Sequence, residues 1–66
     1  MAEQRRIQVG RLGVGHVMVD AATSHEFKII ALSRTGRMVT IDTEVGGQPV
    51  TLPPLDADAY VLVLER

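Results

Sequence analysis

His16, Asp20, His25 and Glu26 are the residues of this chain whose types fit metal ligation or proton transfer. In an extended strand, positions of even separation share a face, so His16 and Asp20 converge at about two strand rises. No third and fourth ligand follows at matching spacing, and solvated surface side chains account for the same four letters. Ser24 beside His25, and Ser33 near an expected turn, offer hydroxyls without the base and orienting group that nucleophilic catalysis requires. Gly10, Gly13 and Gly15 spell G-x-x-G-x-G, the dinucleotide fingerprint reversed. Without a strand-to-helix setting or a P-loop lysine, these glycines read as backbone flexibility, a bulge or a tight turn. No catalytic, cofactor-binding or metal-binding residues are assigned, and no enzyme is expected.

A second set is basic. Arg5, Arg6, Arg34 and Arg37, with Arg11 alongside, could contact phosphates along one edge. Single-strand binders add stacking aromatics, and this chain holds only Phe27 and Tyr60, of which Phe27 is assigned to the core. Residues 1–37 carry six cationic and three acidic side chains, a balance of +3, whereas residues 38–66 carry one and five, a balance of −4. Such poles could orient copies head to tail; the simpler expectation is that hairpins fold the halves together and intermix the charges.

The elements that must position these residues are strands. Six runs of β-branched and aliphatic residues are separated by Gly, Pro, Asp and Ser, and none carries a helical stripe. Arg5–Leu12 alternates, His16–Ala21 resumes the alternation, and Glu26–Ser33 is apolar on both faces from Ile29 to Leu32. Residues 1–15 read either as strand and turn or as a flexible arm that a partner orders. Arg34-Thr35-Gly36 has the form of a three-residue hairpin loop, which sets Ser33 opposite Arg37, Ala31 opposite Val39, Ile29 opposite Ile41 and Phe27 opposite Thr43. Gly46-Gly47 is a type I′ signal that sets Val45 opposite Gln48, Thr43 opposite Val50 and Ile41 opposite Leu52. Together the two turns place Phe27, Ile29, Ala31, Val39, Ile41, Val50 and Leu52 on one face of a meander. Pro49 lacks a donor and belongs at a sheet edge. Tyr60–Leu64, nearly uncharged, must be covered, by central pairing or across a subunit boundary.

Val50-Thr51-Leu52-Pro53-Pro54-Leu55 followed by Tyr60-Val61-Leu62-Val63-Leu64 resembles the closing strands of the C-terminal β-domain in α-amylase-type glycoside hydrolases. The resemblance implies closing strands of a β-domain; with the catalytic barrel missing, no activity is carried over.

The expectation is a single all-β domain, a meander-based sandwich or barrel of five to six short strands. At 66 residues, a domain buries only about 60% of the surface its unfolded chain exposes. Disulfides are excluded because the chain has no cysteine, which leaves oligomerisation as the reinforcement. A hydrophobic fraction of 45% with only one Phe and one Tyr means an aliphatic interior, more than so small a body can hide. The function expected is therefore contact: a non-enzymatic structural module that assembles with itself or docks on a larger complex, such as a virion or capsid as a decoration protein. Val61, Leu62, Val63, Leu64, Val14 and Val17 are its candidate interface. A small β-barrel that binds nucleic acid or regulates through Arg5, Arg6, Arg34 and Arg37 is the alternative. No run reaches signal-peptide or transmembrane length, so a soluble chain made in the cytoplasm, with no membrane partner, is expected.

Overall fold

The computed structural model describes residues 3–65. Alternating and β-branched residues form β1 (Glu3–Gln8), β2 (Val17–Val19), β3 (Glu26–Thr35), β4 (Met38–Val45), β5 (Gln48–Thr51), β6 (Leu55–Asp56) and β7 (Tyr60–Glu65), with one 3-10 turn at Val9–Arg11. All belong to one antiparallel sheet in the order β1-β7-β2-β3-β4-β5, and β6 pairs with β4 off this path. The all-β expectation holds, with seven strands rather than five or six. The extra one is the two-residue β6, which follows the Pro53-Pro54 corner. β2 to β5 form the meander. The segment read as strand or arm splits instead into β1, ending at Gln8, and the 3-10 turn.

The Gly46-Gly47 turn is as expected, with φ of 56° and 82° at its two centres. It sets Val45 opposite Gln48 and Thr43 opposite Val50, and Leu52 N–H donates to the Ile41 carbonyl at 2.9 Å. Pro49 lies on β5, at the edge of the sheet.

The β3–β4 turn corrects the other register. Thr35 pairs with Met38, so the loop has two residues, Gly36-Arg37, with φ of 60° at Gly36. Glycine at the first centre of a two-residue hairpin is the type II′ pattern. Ser33 therefore faces Thr40, Ala31 faces Asp42 and Leu32 faces Ile41; beyond a bulge between Ile29 and Ala31, Ile29 faces Thr43. Phe27 lies opposite Met18 of β2. The bulge flips the strand's facing, so Ile29 and Leu32 both point inward and Ala31 is exposed.

Three backbone hydrogen bonds draw the sheet around its core. Val9 N–H donates to the Ala59 carbonyl at 2.8 Å, Gly10 N–H to the Ala57 carbonyl at 2.9 Å, and Ala57 N–H to the Arg37 carbonyl at 2.7 Å. The segment after β6 is thus held between the 3-10 turn and the β3–β4 turn. A Cβ at position 10 would stand 3.2 Å from the Ala57 carbonyl oxygen, so any larger residue there would have to push this approach apart by a few tenths of an ångström. Inside lie Val9, Met18, Ile29, Val39, Ile41, Ala57 and Val63, with Ile7, Phe27, Leu32, Leu52, Leu55 and Val61 packed against them. Thr43, fully buried, satisfies its hydroxyl by donating to the Val50 carbonyl at 2.7 Å.

Candidate functional site

Strand β7 decides the outer surface. It lies between β1 and β2, both antiparallel to it, so both its edges are occupied. Successive side chains of a strand point to opposite faces. Val63 is buried and pairs with buried Met18, which places Leu62, Leu64, Val17 and Val19 on the outer face. The ladder arranges them in two cross-strand rows, Gln4–Leu64–Val17–Lys28 and Arg6–Leu62–Val19–Glu26. Each row is aliphatic in the middle and polar at both ends. The four aliphatic residues are half-buried.

Of the interface candidates, Leu62, Leu64 and Val17 meet in this strip. Val61 and Val63 do not, since Val61 packs on the core and Val63 is 1% exposed. Val14 sits in the loop before β2, 69% exposed. Val19 belongs to the strip and was missed; its even spacing from Val17 was the signal.

The arginines divide. Arg5, Arg6 and Arg11 line a groove of 430 Å³ with His16 and Tyr60, and no carboxylate is among the described residues that line it. The Arg6 guanidinium lies 5.5 Å from the centre of the Tyr60 ring, within the range of a cation–π contact. Arg34 and Arg37 lie at the β3–β4 turn instead and do not line this groove, although the Arg34 guanidinium reaches the 3-10 turn at Gly10. Arg34 Nε donates to the Gly36 carbonyl at 3.0 Å, and Arg37 donates to Asp58 Oδ2 at 2.8 Å, with Asp56 Oδ1 at 3.8 Å. Lys28 stands opposite Glu44 in the β3–β4 ladder. Around the β3–β4 hairpin the charges of the two halves thus intermix.

Of the possible ligands and nucleophiles, Glu26 and Ser33 lie on β3, while His16, Asp20 and Ser24 serve turns. His16 Nδ1 accepts the Gly13 N–H at 2.9 Å, and Asp20 Oδ1 accepts the Ala22 N–H at 2.8 Å. Ser24 takes the left-handed conformation, φ 62°, and its N–H donates to the Asp20 carbonyl. The His16 bond closes the loop before β2, and the Asp20 bonds close the β2–β3 connection around an Asx turn. No group of three or more metal-ligating side chains occurs among the described residues, nor is any helix among them long and apolar enough to cross a membrane. No protein-family model matches this chain, and neither a curated protein nor a solved structure matches it.

Proposed function

We propose that this protein is a non-enzymatic interaction module that assembles with a second copy of itself through the outer face of β7 and β2. The observation that carries the reading is the pair of outward rows centred on Leu62, Leu64, Val17 and Val19. These rows are self-complementary. A two-fold axis parallel to the strands, midway between β7 and β2, reverses each row onto its copy. Leu62 then falls on Val19, Leu64 on Val17, Arg6 opposite Glu26 and Gln4 opposite Lys28. An isologous contact demands this reciprocity, and aligned face-to-face packing of sheets supplies its geometry. Decoration of a larger shell, such as a virion, is the wider setting in which such a dimer would serve.

Sedimentation equilibrium over a concentration series tests the reading. The expected mass approaches twice the 7.2 kDa of one chain. A chain that stays at 7.2 kDa up to about 1 mM, the weakest association of interest, overturns it.

A further inference from the structure

We propose that the open edge of β3 binds the C-terminal end of an extended peptide, whose last side chain is aliphatic and whose free carboxylate is held by Arg34. The edge arises from unequal strand lengths. β2 covers β3 at Glu26, Phe27 and Lys28, and the cover ends at Ile29, whose N–H donates to the His16 carbonyl at 2.9 Å and whose carbonyl accepts the Gly15 N–H at 3.0 Å. β3 runs on to Thr35, and among the described residues no strand pairs with residues 31–34 on that side. Hydrogen bonding in an antiparallel ladder alternates along each strand. The turn joins Thr35 and Met38 as a bonded pair, so Ser33 and Ala31 also bond to β4, whereas Leu32 and Arg34 turn their N–H and C=O groups away from it. Ile41, opposite Leu32, fixes this phase independently, since its carbonyl accepts from Leu52 on the far side of β4. An exposed row of such groups is a template for an added strand.

What lies beside the edge selects the occupant. Leu32 packs on the core, and Arg34, two residues on, shares its face. A cavity of 120 Å³ opens there, lined by Val9, Leu12, Leu32 and Val39, with Ser33 and Arg34 as its polar side chains. An apolar cavity of about 150 Å³ holds a molecule the size of benzene, so a branched aliphatic side chain is the matching occupant. Arg34 supplies the charge. Its Nε donates to the Gly36 carbonyl at 3.0 Å, and its Nη1 stands 3.7 Å from where a Cβ on Gly10 would lie. Among the described residues it forms no ion pair, Asp56 and Asp58 being engaged by Arg37. The terminal nitrogens of a guanidinium match a carboxylate in a fork. A free aliphatic acid would fill the cavity and leave the backbone groups of β3 unmet. A mid-chain segment would meet those groups, but no single residue of it carries both an aliphatic side chain and a carboxylate. The last residue of a chain carries both, and the residues before it supply the strand.

The test uses a fluorescein-labelled oligothreonine ending in a C-terminal valine, threonine being an uncharged strand former. Fluorescence anisotropy should show saturable binding, and amide hydrogen exchange should slow at Leu32 and Arg34, whose N–H groups the added strand would meet. Amidating the C-terminus of the peptide, or Arg34→Gln in the protein, should each weaken binding about 10- to 150-fold, the range for a hydrogen bond to a charged group. Replacing the terminal valine by alanine should weaken it about 15-fold, at roughly fourfold for each methylene removed. Lys28→Gln removes an equal charge from β3 where β2 covers the strand, and should change nothing. Absence of binding up to about 1 mM overturns the proposal. So do an amidated peptide that binds as well as the acid, and equal weakening by Lys28→Gln. Displacement by isovalerate as effective as that by unlabelled peptide also overturns it, because the cavity would then take a small acid without the edge. Leu62, Leu64, Val17 and Val19 lie on the opposite face, so failure here leaves the self-association reading standing.

Discussion

Truncating Leu62 to alanine separates the outer strip from the core more sharply than any other single change. Burying a leucine side chain completely is worth about 1.5–3 kcal/mol. Leu62 is already half-buried within one chain, so a second copy adds about half of that, roughly 1 kcal/mol per side. A two-fold contact repeats every residue, which doubles the loss to about 2 kcal/mol per dimer, or about 30-fold in Kd at roughly 1.4 kcal/mol per factor of ten. Sedimentation velocity over a dilution series reads this directly. Ile30→Ser is the control, because Ile30 is 42% exposed and lies at the β3 bulge, outside both rows; it should leave Kd unchanged. Orientation is tested by charge exchange. Arg6→Glu and Glu26→Arg should each weaken association, and the doubly exchanged chain should recover it, since the two-fold sets each position against the other. A Leu62→Ala protein that associates like the original, or an Ile30→Ser protein weakened to the same degree, would refute the argument.

The interior makes its own predictions. Thr43→Val removes the hydroxyl that donates to the Val50 carbonyl and should cost about 1 kcal/mol, whereas Thr43→Ser keeps the bond and loses one methyl, also about 1 kcal/mol. Urea denaturation compares them, and a neutral Thr43→Val would remove the hydrogen bond from the account of this site. Gly47→Ala places a Cβ at φ 82° and should cost about 1–2 kcal/mol, seen as a Tm lower by roughly 4–8 °C per kcal/mol; an unchanged Tm would mean the turn adopts another form. Arg37→Ala breaks an ion pair whose arginine side chain is 74% exposed, so thermal unfolding should shift by the equivalent of at most about 1 kcal/mol. A larger shift would show that the Arg37 side chain also supports the backbone bond made by its carbonyl.

What could be read from the sequence follows the range over which each signal acts. Gly46-Gly47 fixed its hairpin because two adjacent glycines leave one economical turn. Gly36 was ambiguous: a left-handed glycine serves equally as the last residue of a three-residue loop or as the first centre of a two-residue one. The register moved accordingly. Ile29, Val39 and Ile41 were still placed inward correctly, because the bulge after Ile29 cancelled the error in facing on that side. Ala31 had no such compensation and came out exposed. The placement of β7 between β1 and β2 left no local trace, since pairs such as Gln4 with Leu64 lie at opposite ends of the chain. That non-local pairing decides which aliphatic residues face outward, so Val61 and Val63 could not be separated from Leu62 and Leu64 by composition alone. The division of the arginines was hidden for the same reason: Asp56 and Asp58 meet Arg37 only after the Pro53-Pro54 corner.

The central seat of β7 also sets an order on biogenesis. Of the described strands β1 is made before the others of the sheet, yet its one ladder partner among them, β7, is made after all the rest. The hairpins from β3 to β5 can form while the polymerising chain is still tethered, but β1 must wait, solvated and unpaired, until Tyr60–Glu65 arrives to slot in beside it. Closing so long a span is entropically slow. The arginines and glutamines of β1 keep that waiting segment soluble, a service rendered before the native state exists.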